Sequence, residues 1–146
     1  MGPAELDAFL SVEPTCRLAT SGPAGPHVTP VWFVWHDSAL WFSSLVHSQR
    51  WMDLVRDPRC AAVVDAGVTY GDLRGVELRG EVATVGDVPR SGTTVSGLDD
   101  VERLFDAKYP GAKAYDDGRH AWLRLTPQRV VSWDFRKLRA SGPADT

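Results

Sequence analysis

The chain has 146 residues, 43% of them hydrophobic and 24% charged, which fits one soluble globular domain with a sizeable core. A formal net charge of -3 gives no clustered positive footprint for nucleic acid. No apolar run reaches a membrane span, and the acidic start "MGPAELDAFL" lacks the basic region of a secretory signal, so the expectation is a cytoplasmic protein with no membrane partner.

Pro3 suits a first helical turn, and Leu6, Phe9 and Leu10 recur at helical spacing, so the chain opens with a short helix. "TCRLATS" reads as a strand with Cys16, Leu18 and Thr20 on one face and Arg17 and Ala19 on the other. "GPAGP" is a turn by composition, and "HVTPVWFVW" is a second strand. His36, Asp37 and Ser38 turn it into a third, "ALWFSS". The second strand does not alternate. Val31, Trp32, Phe33, Val34 and Trp35 are apolar without a gap, so both faces should be out of water.

Ser48 can cap a second helix with Trp51, Met52, Leu54 and Val55 inward, ended by Asp57-Pro58. "RCAAVVDA" is a fourth strand, again apolar on both faces. "LRGVELRGEVATV" is a long fifth strand with bends or bulges expected at Gly75 and Gly80. "GDVPRSGTTVSG" has the composition of a mobile connection. Asp99 is the expected cap of a third helix with Val101, Leu104 and Phe105 inward. "HAWLRLTP" and "RVVSWDF" read as the last two strands, and residues 139–146 as a disordered tail after a single domain spanning 1–138. Adjacent groups of strands with bends inside the longest favour a mostly β, antiparallel small barrel with short flanking helices over a doubly wound sheet.

Side-chain chemistry is sparse. His27, His36, His47 and His120 lack metal-ligand spacing. Cys16 and Cys60 could form one disulfide, but two unclustered cysteines inside apolar strands read as reduced core thiols. There is no nucleophile elbow and no phosphate-binding glycine motif. One stretch differs. "HSQRWMDL" places Arg50 in the first turn of the second helix, where a cation opposes the helix dipole. An anion there would resolve the conflict, held by free backbone N–H groups, the Ser48 hydroxyl and the Arg50 guanidinium. Trp32, Trp35 and Trp41 lie just upstream. An anion site beside aromatic side chains suits a planar ligand that carries a phosphate. A solvated Arg50 and tryptophans that serve only as core or interface are the plainer alternatives.

In order, "CRLATSGPAGPHVTPVWFVWHDSALWFSS", "HSQRWMDLVRDPRCAAVVDA" and "LRGVELRGEVATV" resemble the pyridoxamine 5'-phosphate oxidase-like split-barrel proteins, nearest the flavin/deazaflavin-dependent branch. "RHAWLRLTPQRVVSWDFRKL" is similar to that family's closing strands. The resemblance implies a six-stranded antiparallel split β-barrel and a homodimer with cofactor sites at the interface. The second apolar face would then be covered by the other subunit and by the cofactor ring. It also implies a phosphate region at Ser43, Ser44, Ser48, Gln49 and Arg50, with Thr29, Pro30 and Val31 along the ring system. The implied cofactor is coenzyme F420 or FMN, with hydride passed to or from a small organic substrate. A module that binds a flavin, haem or similar planar ligand without turnover is the alternative. Three departures argue against vitamin B6 oxidation. "WFVW" carries no basic residue, Gly75 stands where that family's ring-facing glutamine falls, and the closing substrate-binding segment is absent.

Overall fold

The structure is a computed structural model and describes residues 1–112 and 115–140. Helix α1 (Pro3–Val12) leads into β1 (Thr15–Gly22), β2 (Gly25–Trp32), β3 (Val34–His36) and β4 (Ala39–Leu45). Helix α2 (Gln49–Arg56), β5 (Arg59–Ala66), a 3₁₀ turn (Tyr70–Asp72) and β6 (Arg74–Val85) follow. Helix α3 (Leu98–Lys108), β7 (His120–Asp134) and α4 (Arg136–Ala140) complete the described chain.

All seven strands form one antiparallel sheet in the order β2-β1-β5-β6-β7-β4-β3. Its two edge strands, β2 and β3, are consecutive in the chain with only Phe33 between them. A flat sheet cannot bring its first and last strands within one residue of each other, so the sheet must curl until its edges meet. The result is a barrel with a split at Phe33. The expected second strand is therefore two strands that serve opposite edges. Conversely, the two expected closing strands are one long β7, bulged where Gln128 has no partner between Arg79↔Arg129 and Gly80↔Pro127. Seven strands replace the six implied by resemblance.

Local chemistry explains the bends. Gly80 sits at the bulge, and a Cβ there would lie 2.1 Å from the Thr126 carbonyl oxygen. At Gly75 it would meet the Trp133 indole at 2.5 Å. Both glycines allow backbone to approach where a side chain would not fit. The β3–β4 turn places Asp37 and Ser38 at φ 52° and 55°, the positive-φ pair of a two-residue hairpin.

Two cores result. Leu18, Phe33, Phe42, Val64, Leu78 and Leu125 fill the barrel. On the opposite face of β3, β4 and β7, Val34, Trp41 and Trp122 pack under Val101, Phe105 and Tyr109. Much of the second apolar face of this hairpin is thus covered by α3 of the same chain. Burial of Leu98, Val101 and Phe105 contributes about 1.5–3 kcal/mol each to that docking.

Other local expectations shift. The N-cap of α3 is Gly97, at φ 90°, and Asp99 lies inside the first turn. Leu104 on α3, and Met52 and Val55 on α2, stay exposed, whereas Asp53 is buried. The connection after β6 is anchored, because buried Arg90 binds Asp87, Glu102 and the Thr93 carbonyl. Arg139 and Ala140 belong to α4, and the rest of the expected tail lies outside the described residues. Cys16 and Cys60 are free and buried. Among the described residues no helix is long and apolar enough to cross a membrane.

Candidate cofactor site

The split is where side chains from distant elements meet. Edge strand β2 carries one row of backbone groups that no strand pairs. Across the split lie β4 and the start of α2. Between them a cleft of about 190 Å³ is lined by Pro30, Val31, Trp32, Ser43, Arg50 and Phe105.

Ser48 caps α2 as expected. Its hydroxyl accepts from the Trp51 N–H at 3.1 Å and donates to the Leu45 carbonyl at 2.9 Å. The first turn leaves the Gln49 and Arg50 N–H groups without intrahelical acceptors. Arg50 folds back against β2 and β4. Its guanidinium donates to Thr29 Oγ1 at 2.8 Å and to Ser44 Oγ at 3.3 Å. Ser44 Oγ lies 3.2 Å from Ser48 Oγ. The two serines and Thr29 therefore fix the direction of the Arg50 fork. Among the described residues no carboxylate pairs with Arg50. Burial holds its pKa below the ordinary arginine range, so the bare charge is uncomfortable where it sits. Ser43 Oγ is buried in the same cleft with no hydrogen-bond partner among the described residues. A partly buried cation without an anion, beside an orphaned hydroxyl, is a site suited to an anionic or acceptor-bearing ligand.

The aromatic side comes from Trp32 and Phe105. Trp32 is 47% exposed and stacks on Tyr109 with centroids 4.5 Å apart. Phe105 lies 6.4 Å from Trp32. Of the three upstream tryptophans only Trp32 lines the cleft. Trp41 is core beneath α3, and Trp35 packs beside the barrel core with its indole N–H on Asp7 at 2.8 Å.

Seven of the eight expected residues gather here: Pro30, Val31, Ser43 and Arg50 line the cleft, Thr29 and Ser44 hold Arg50, and Ser48 lies against Ser44. Gln49 does not join them. Its amide turns to buried Asp53 at 2.7 Å, which also accepts from Thr20 Oγ1 at 3.0 Å. Phe105 was not expected, because its helix lies far downstream in the chain and only the tertiary fold brings it over. Two other candidate cations are engaged elsewhere: Arg17 pairs with Asp65, and Lys137 with Glu5. Among the described residues no group of metal-ligating side chains is present.

The fold recurs in solved structures. A conserved hypothetical protein from Mycobacterium tuberculosis is 29% identical, with 100% of this chain and 92% of that one covered at a TM-score of 0.72. A protein described as F420 reductase is 22% identical over 86% of this chain and 94% of its own, with a TM-score of 0.66. An FAD-binding protein from Mycobacterium smegmatis is 18% identical over 93% and 98%, with a TM-score of 0.70. No curated protein matches by sequence. The sequence pattern described as pyridoxamine 5'-phosphate oxidase matches residues 3–134, nearly the whole ordered barrel, and the chain therefore belongs to the pyridoxamine 5'-phosphate oxidase family.

Proposed function

We propose that this protein is an oxidoreductase that holds FMN or coenzyme F420 in the split and passes a hydride between that cofactor and a small organic substrate. The observation that carries the reading is the pairing of Arg50, a partly buried cation with no carboxylate partner among the described residues, with the aromatic wall of Trp32 and Phe105 across one cleft. Arg50, Thr29, Ser44 and the α2 N-terminus would hold the phosphate. Pro30, Val31 and Trp32 would lie along the ring. The redox chemistry belongs to the cofactor; the chain's own task is to orient the ring and keep water from it. That division accounts for a site without a triad or metal ligands. Relatives described as F420 reductase and as FAD-binding support a flavin-type ligand.

A homodimer fits the same reading. Val28 is 65% exposed on β2, and Val130 and Val131 are exposed on β7, so apolar strand surface remains after α3 has docked. A partner over β2 would also close the cleft from the solvent side. Gly75, packed against Trp133, offers no side chain to a ring, in keeping with a substrate other than pyridoxamine phosphate.

Titrating purified protein with FMN and with F420 tests binding. Mixing the protein with reduced cofactor and a panel of unsaturated acceptors, while following cofactor absorbance, tests turnover. Binding without acceptor-dependent oxidation would mark a carrier and overturn the enzymatic reading.

A further inference from the structure

Three of the four buried side-chain polar atoms that lack a partner among the described residues sit on one face of one strand pair. They are Ser43 Oγ on β4 and Trp122 Nε1 and Arg124 Nε on β7. The strand register sets Ser43 directly opposite Trp122, and Trp41 opposite Arg124. Trp122 is fully buried, and its ring meets Phe105 edge-on at 5.6 Å. Trp122 therefore stands immediately behind two residues of the cleft wall, Ser43 and Phe105. Arg124 extends the row, with its guanidinium 5.5 Å from the Trp41 ring and no carboxylate partner among the described residues. Leaving a buried donor unsatisfied costs about 1–3 kcal/mol. Of the three, Ser43 Oγ lines the cleft, where a ligand can supply its missing partner.

We propose that Ser43, backed by the buried Trp122 ring, forms a ring-edge subsite, which receives the carbonyl-bearing edge of a flat heteroaromatic ligand, and that Ser43 does not serve the phosphate. The inference rests on the cofactor reading above and adds an orientation. Arg50 sits at the α2 end of the cleft with Thr29 and Ser44, whereas Ser43, on the opposite face of β4 from Ser44, shares the face of Trp122 and lines the cleft with Phe105. A ligand with its phosphate on Arg50 then turns its oxygen-rich ring edge to β4–β7 and leaves its apolar edge along Trp32. A donor at that edge would also favour the negative charge that reduction places on such a ring.

Riboflavin, which has the ring without the phosphate, separates the two ends. Titration of the parent protein, Ser43→Ala, Trp122→Phe and Arg50→Ala with FMN and riboflavin reads the dissociation constants directly. Ser43→Ala is expected to weaken both ligands by roughly two- to tenfold, the range of one neutral hydrogen bond, and Trp122→Phe, which alters the ring behind Ser43, to weaken both by less. Arg50→Ala is expected to weaken FMN alone. If Trp122→Phe fails to fold, Ser43→Ala decides, together with the indole N–H resonance of Trp122 in the labelled parent, which should shift on riboflavin addition. A Ser43→Ala loss seen with FMN but absent with riboflavin would place Ser43 at the phosphate and overturn the proposal. So would unchanged riboflavin affinity in both variants with a stationary Trp122 resonance; the cofactor reading would survive either result. A parent protein that binds none of FMN, F420 and riboflavin would sink both.

Discussion

Trp32 and Tyr109 stack face to face, with ring centroids 4.5 Å apart and planes 6° from parallel. The contact joins the last residue of β2 to the end of α3, and so ties the cleft wall to the helix that covers the hairpin. Tyr109 also holds the split itself. Its hydroxyl accepts from the Phe33 N–H at 3.0 Å and lies 2.9 and 2.7 Å from the Phe33 and Pro14 carbonyls. Phe33 belongs to neither edge strand, so its backbone has no ladder to satisfy it.

Tyr109→Phe keeps the stacked ring and removes that hydroxyl. The buried Phe33 N–H is then unsatisfied, and the expected loss is about 1–3 kcal/mol. Urea unfolding should show a lower midpoint with an unchanged slope. An unchanged midpoint would mean that the split is not held by this contact.

Gly80→Ala tests the bulge. The new methyl would lie 2.1 Å from a backbone carbonyl oxygen, Thr126 O, and 3.2 Å from Pro127 Cα. Neither atom can swing aside as a flexible side chain would, so β6 and β7 must part. Destabilisation of about 1–3 kcal/mol is expected, read as a fall in thermal midpoint. A variant as stable as the parent would show that the bulge is loosely packed.

The cysteines predict an alkaline limb. Burial pushes both Cys16 and Cys60 up to about 12 from an ordinary value near 9. The folded chain therefore keeps two protons that the unfolded chain releases above about pH 9. Their contribution is fully present below that pH and is lost as pH rises from 9 towards 12. Lys108 works the other way. Burial lowers it to about 8, so its contribution grows between pH 8 and 10.5. Tyr109, raised to about 12 by burial, adds to the loss above pH 10. Lys108 and Tyr109 are common to parent and variant, so replacing both cysteines by Ala isolates the thiols. The double variant should lose less stability between pH 8 and 10.5 than the parent does, and its cofactor binding should be intact. Equal losses would contradict the buried-thiol reading.

Much of this arrangement is legible in the sequence, and the exceptions have physical causes. The Ser48 cap, the outward Arg17 and the bend at Gly80 follow from local rules of capping, alternation and close backbone approach. The unbroken run Val31 to Trp35 signals burial that holds for Val31, Phe33 and Val34 but not for the half-exposed Trp32, and it cannot say what does the burying. That depends on α3, whose Phe105 and Tyr109 arrive through the tertiary fold. Period alone also cannot show that β2 and β3 belong to opposite edges, because the break at Phe33 involves no turn residue. In the site, Arg50 is flagged by its conflict with the helix dipole. Gln49 is drawn away by Asp53, a carboxylate buried on the helix face that pattern reading reserves for apolar residues.

The central claim is that Arg50 is the anion anchor of a cofactor cleft. The most direct measurement is the affinity of the parent and of Arg50→Ala for FMN and F420, read from quenching of the half-exposed Trp32. Arg50 lines the cleft and fills no core position, so the empty variant should be as stable as the parent or slightly more so, since a partly buried unpaired charge has been removed. Binding of both cofactors should weaken by roughly 10- to 100-fold, the worth of a charge-assisted hydrogen bond to phosphate. Arg50→Ala protein that binds both as tightly as the parent does would contradict the claim and place the anion elsewhere.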